Sequence, residues 1–104
     1  MSHLKEGFFD EYHNIVEICS TIKKPRYNKA FKYLLHHFND LNKPWIKTSQ
    51  LREGLCIGDR TEAYQVLESF RVLNLLRKNV IKHTSYYSQD NLEYWKKAKG
   101  EIEK

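Results

Sequence analysis

The sequence is poor in residues that break helices and in residues that staple chains. Four glycines and two prolines in 104 residues leave few points where a helix must stop. Two cysteines, Cys19 and Cys56, are too few for a disulfide framework, and neither belongs to a C-x-x-C pair. The five histidines show no ligand spacing, so no metal site is expected. No Gly-rich phosphate loop is present, and no cofactor is expected. Ser/His/Asp and paired-acid spacings are missing too, which argues against an enzyme. No apolar run approaches the ~20 residues of a membrane span. The amino-terminal MSHLKEGFFDEY carries acids and lacks the basic-then-apolar form of a secretory signal. The expected location is the cytoplasm.

What is present fits one folded domain, residues 1–104: 40% of the residues are hydrophobic and 30% are charged. The net charge is +5 and the pI about 9.2, which favours an anionic partner. Its distribution is uneven. Residues 1–22 carry Lys5 against Glu6, Asp10, Glu11 and Glu17. Residues 23–47 carry seven bases against Asp40 alone, and residues 60–88 carry Arg60, Arg71, Arg77, Lys78 and Lys82 against Glu62 and Glu68.

Apolar spacing predicts a helix over 7–23, with Phe8, Tyr12, Ile15, Cys19 and Ile22 on one stripe and Phe9 and Val16 beside it. That face is too aromatic to stay exposed, so it packs either on the domain or on a second copy. Pro25 separates it from an amphipathic helix over 26–41, with Tyr27, Phe31, Leu34, Leu35, Phe38 and Leu41 on one side. His36 and His37 read as surface or packed histidines, and both thiols as buried or inert. A short helix follows, capped by Thr48 or Ser49. Gly58 supplies the positive φ expected of a tight turn. A longer helix over 59–74 has Asp59 as N-cap, Glu62 at the capping-box position, and Ala63, Leu67, Phe70 and Leu73 on its apolar face. The last helix, 90–103, takes Asp90 as cap and Glu93 as its box partner, with Leu92, Trp95 and Ile102 repeating along it.

The stretch from Pro44 to Ser88 resembles the winged helix-turn-helix family of DNA-binding regulators. The likeness rests on the short helix, the turn at Cys56-Ile57-Gly58-Asp59, the longer helix, then Leu73-Asn74-Leu75-Leu76, Arg77-Lys78 and Tyr86-Tyr87-Ser88. Asn74 stands where that family commonly has glycine, and asparagine tolerates the left-handed region. The resemblance covers about 45 of the 104 residues. It implies a mainly α fold with a small antiparallel β wing (α+β): a first core helix at 26–41, a short strand at Trp45-Ile46-Lys47, a wing with its tip near Ile81, Lys82 and His83, and extra helices at both ends. Asn79 is an alternative tip for a shorter hairpin in another register.

The resemblance further implies sequence-specific binding of double-stranded DNA, as in small transcriptional regulators. Helix 59–74 would enter the major groove, where base edges are distinguishable. Its polar side offers Arg60 to guanine or a phosphate, Gln65 to adenine, and Thr61 and Tyr64 to base or backbone. Thr48, Ser49 and Gln50 would meet phosphate at the start of the short helix. Arg77, Lys78 and Lys82, on the 76–88 wing, would meet backbone or minor groove. A homodimer through the N- and C-terminal helices would read a pseudo-palindrome. No small-molecule effector and no membrane partner are implied. Each polar residue also reads as plain solvated surface, and Tyr64 as packing on the wing. The competing function is a winged-helix assembly module without DNA readout, since fold does not fix function.

Overall fold

The computed structural model describes residues 15–103. The expected start of the first helix, with Phe8, Phe9 and Tyr12, lies outside the described residues. Helix α1 (residues 15–22) is followed by α2 (Pro25–Leu35), strand β1 (Trp45–Lys47), α3 (Thr48–Gly54), α4 (Arg60–Val72), strands β2 (Leu76–Ile81) and β3 (Thr84–Gln89), and α5 (Leu92–Ile102). The three strands form one antiparallel sheet in the order β1-β3-β2. The described chain is therefore mainly helical with a small antiparallel sheet, as expected.

Alternation along the strands sorts the sheet into two faces. Ile46, Tyr87 and Leu76 point inward and are buried. Trp45, Arg77, Asn79 and Tyr86 fall on the opposite face. The core joins Ile18 and Ile22 of α1, Phe31 and Leu34 of α2, and Val66, Leu67 and Phe70 of α4. Trp95 of α5 completes it. Its ring stacks on Phe31 at 4.9 Å and meets Phe38 edge-on at 6.0 Å. Its indole N–H donates to the Leu75 carbonyl at 2.8 Å.

Several local expectations shift. The 26–41 helix is α-helical only to Leu35, then widens into a π-helical turn, His36–Asp40, closed by Leu41 N–H donating to His36 O at 2.9 Å. This turn brings His37 inside, where its Nε2–H donates to the Trp45 carbonyl at 2.8 Å. Helix α3 starts at Thr48, so Lys47 is its N-cap residue, and the Gln50 side chain accepts from the Lys47 N–H at 2.9 Å. Positive φ falls at Cys56 rather than Gly58. Cys56 and Ile57 donate back to Glu53 and Arg52, a Schellman ending that puts the left-handed residue directly after the helix. Cys56 is consequently exposed, not buried. Asn74 takes the left-handed position after α4 as expected.

Helix α5 begins after Asn91, which is left-handed. Asp90 accepts from the Asn91 N–H and makes no cap bond to the helix itself. In α1 the buried positions are Ile18 and Ile22, a stripe turned from the expected one, with Val16 exposed. Lys23 and Glu101 pair at 3.6 Å, so the two outer helices approach each other within one chain. Trp95 is covered by its own core, and Leu92 is the exposed member of the expected stripe.

Candidate nucleic-acid interface

Helix α4 starts where the sequence places it: Asp59 Oδ1 accepts from the Thr61 N–H at 2.9 Å. Ala63, Val66, Leu67 and Phe70 are buried, which turns Arg60, Thr61, Tyr64 and Gln65 outward. All four are exposed. Beside them lies the hairpin of β2 and β3, joined by the two-residue turn Lys82-His83. Both turn residues have positive φ, 48° and 66°. That geometry suits Asn-Gly, and two larger side chains hold it at an energetic cost. The tip thus falls where expected, and the alternative at Asn79 is excluded because Asn79 is paired with Tyr86 within the ladder.

A groove of about 400 Å³ runs between α4, the start of α3 and the hairpin. It is lined by Lys47, Thr48, Ser49, Arg60, Thr61, Tyr64, His83, Thr84 and Ser85. Five of the ten sequence-predicted contact residues therefore meet on one groove: Thr48, Ser49, Arg60, Thr61 and Tyr64. Lys47, His83, Thr84 and Ser85 join them unforeseen. Three of these four lie on or next to the hairpin tip, which sequence spacing located; Lys47 directly precedes the short helix. Neither Arg60, Lys82 nor His83 is engaged in an ion pair or hydrogen bond through its side chain among the described residues.

Of the other five predicted residues, Lys82 stands at the hairpin tip outside the groove lining, and four have occupations of their own. Gln50 caps α3. Gln65 Oε1 accepts from Arg26 at 3.4 Å, while Arg26 also pairs with Glu62 at 3.5 Å. Arg77 sits over the Trp45 ring at 5.9 Å. Lys78 is pinned, its ammonium 3.3 Å from Glu68, 3.3 Å from the Tyr64 hydroxyl and above the Tyr64 ring at 5.1 Å.

Glu68 is the hub of this second cluster. It accepts from Arg71 through two guanidinium nitrogens at 3.0–3.2 Å and from the Tyr87 hydroxyl at 2.7 Å. Partial burial pushes its carboxyl up. The bonds from Arg71, Tyr87 and Lys78, with the Lys78 charge, outweigh burial and lower it to about 2. Burial, then donation to Glu68, pushes the Tyr87 phenol far up. Both acids of α4 are thus neutralised from neighbouring positions, Glu62 by Arg26 and Glu68 by Arg71 and Lys78. The charge left unopposed on α4 is Arg60.

Comparison with protein-family models gives no match, and no curated protein matches the chain. Among the described residues there is no cluster of three or more metal-ligating side chains and no helix long and apolar enough to cross a membrane.

Proposed function

We propose that this protein is a winged helix-turn-helix protein that reads double-stranded DNA, with α4 in the major groove and the β2–β3 hairpin against the backbone or minor groove. The supporting observation is the open groove beside α4. Arg60, Thr61 and Tyr64 stand solvent-side, the local acids are already paired, and Lys47, Lys82 and His83 flank the helix. The element order and sheet order are compatible with that family.

In this reading Arg60 contacts a base edge or phosphate, and Thr48, Ser49, Thr61 and Tyr64 donate to the strand running through the groove. Lys82 and His83 meet the flanking phosphates. Keeping a lysine and a histidine at a turn that Asn-Gly would hold more cheaply is in line with a tip retained for contact. Regulation of transcription in the cytoplasm follows as the biological role. A second copy would add the other half-site. Since Ile18, Ile22 and Trp95 are spent in the chain's own core, a dimer through α1 and α5 would use Val16 and Leu92.

The experiment is selection of bound sequences from a random duplex pool, followed by affinity measurements at several salt concentrations. A steep fall with salt and an enriched motif are expected. Weak, shallow binding without a motif would replace this reading with a protein-assembly module.

A further inference from the structure

We propose that the outward face of the sheet is a second binding surface that stacks the bases of single-stranded DNA, next to the duplex groove. Cross-strand register puts Trp45, Ser88 and Arg77 in one row of that face, and Lys47, Tyr86 and Asn79 in the next. Trp45 is 36% exposed, large for a tryptophan in a domain whose other tryptophan, Trp95, is 2% exposed. Tyr86 is half-buried beside it. The Arg77 guanidinium lies 5.9 Å from the Trp45 ring centre, which sets a positive charge next to the aromatic plane.

Charge complementarity selects the occupant. The three strands contain no aspartate or glutamate; Lys47 and Arg77 lie on the outward rows and Lys82 sits in the turn that joins two of the strands, while Lys78 faces inward and is paired with Glu68. Aromatic planes interleaved with cations suit unpaired bases joined by phosphates, whereas a stacked duplex hides its base faces. Lys47 lines the duplex groove and also belongs to the outer rows, so the two surfaces are continuous. A strand separated from a duplex held on α4 would therefore reach Trp45. In choosing DNA as the source this rests on the proposed duplex reading.

The two tryptophans supply the probe. Emission of the full chain is titrated with oligothymidylate, with a blunt duplex, and with the same duplex carrying a single-stranded tail. Oligothymidylate is expected to quench emission, Trp45→Phe to abolish the quench while keeping binding, and Trp45→Ala to weaken single-strand binding about 5- to 100-fold. Blunt-duplex affinity should change less than about two-fold in Trp45→Ala. Arg77→Gln, which leaves both rings in place, should weaken the single strand and reduce its salt dependence. The tailed duplex should bind more tightly than the blunt one. Unchanged single-strand affinity in Trp45→Ala and Arg77→Gln overturns the proposal, as does tighter binding of oligouridylate than oligothymidylate for its assignment to DNA. Quenching by the single strand without any duplex binding would leave this surface standing and remove the duplex reading instead. Failure of both nucleic acids, with the face protected in a complex with a protein, would make it a protein-docking surface.

Discussion

The two halves of α4 are built from similar residues and are electrostatically opposite in kind. In the second half, Glu68 and Arg71 close a network with Lys78 and Tyr87, and every charge meets its complement inside the chain. In the first half, Asp59 is spent on the cap, Glu62 on Arg26, and Arg60 is left with solvent. A count of charges along the helix would not separate them. Pairing does: the closed half holds the helix on the sheet, and the open half is available for an anion.

The largest expected effect contrasts an arginine from each half. Arg60→Ala should cost about 1–3 kcal/mol of duplex binding and relax base preference, with the unfolding midpoint unchanged. Arg71→Ala should instead lower stability and leave base preference intact. Equal losses of binding in the two variants, measured by titration against selected and random duplexes, would erase the distinction.

Glu68→Gln tests the closed half through pH. The folded carboxyl is lowered to about 2 from an ordinary 4.5. Its stabilisation is therefore complete above about 4.5 and is lost as pH falls towards 2. The variant should be less stable by on the order of 1–3 kcal/mol at neutral pH, and its urea midpoints should rise less steeply with pH across that acid window. Releasing Lys78 and Arg71 from their acid should also strengthen duplex binding and steepen its salt dependence.

The hairpin tip is next. Lys82→Asn with His83→Gly should stabilise the fold by about 1–2 kcal/mol, because both positions are left-handed, while weakening every duplex alike. Denaturant melts and salt titrations on the same sample would show both signs. The smallest change is Cys56→Gly, worth about 0.5–1 kcal/mol of added stability at another left-handed position, with duplex affinity unaltered.

Helix α4 is legible in the sequence because two independent signals agree there. The apolar spacing names Ala63, Leu67 and Phe70, and Asp59 names the start. The hairpin tip is legible as a gap between strands, though Lys82-His83 carries no turn signature. Gly58 misleads because the left-handed residue of a Schellman ending is set by where the last helical hydrogen bond closes, and that point leaves Cys56 to adopt it. Ile18 goes unread in α1 because a stripe rich in aromatic residues competes with it, and contact with the rest of the core decides the rotation. The site is half legible. Residue types on α4 indicate an outward polar face, but which charges remain available depends on Arg26 reaching Glu62 and Lys78 reaching Glu68, pairs that sequence spacing does not connect.

The junction after the sheet has a practical consequence. Asp90 N–H and the Trp95 indole both donate to the Leu75 carbonyl, and Asn91 donates to the carbonyl of Asn74. The closing helix is thereby latched onto the very turn that ends α4. A shortened protein stopping at the third strand would strip the stacked partner from Phe31 and remove those donors together. Such a truncation would be a poor minimal domain, prone to clump rather than to bind.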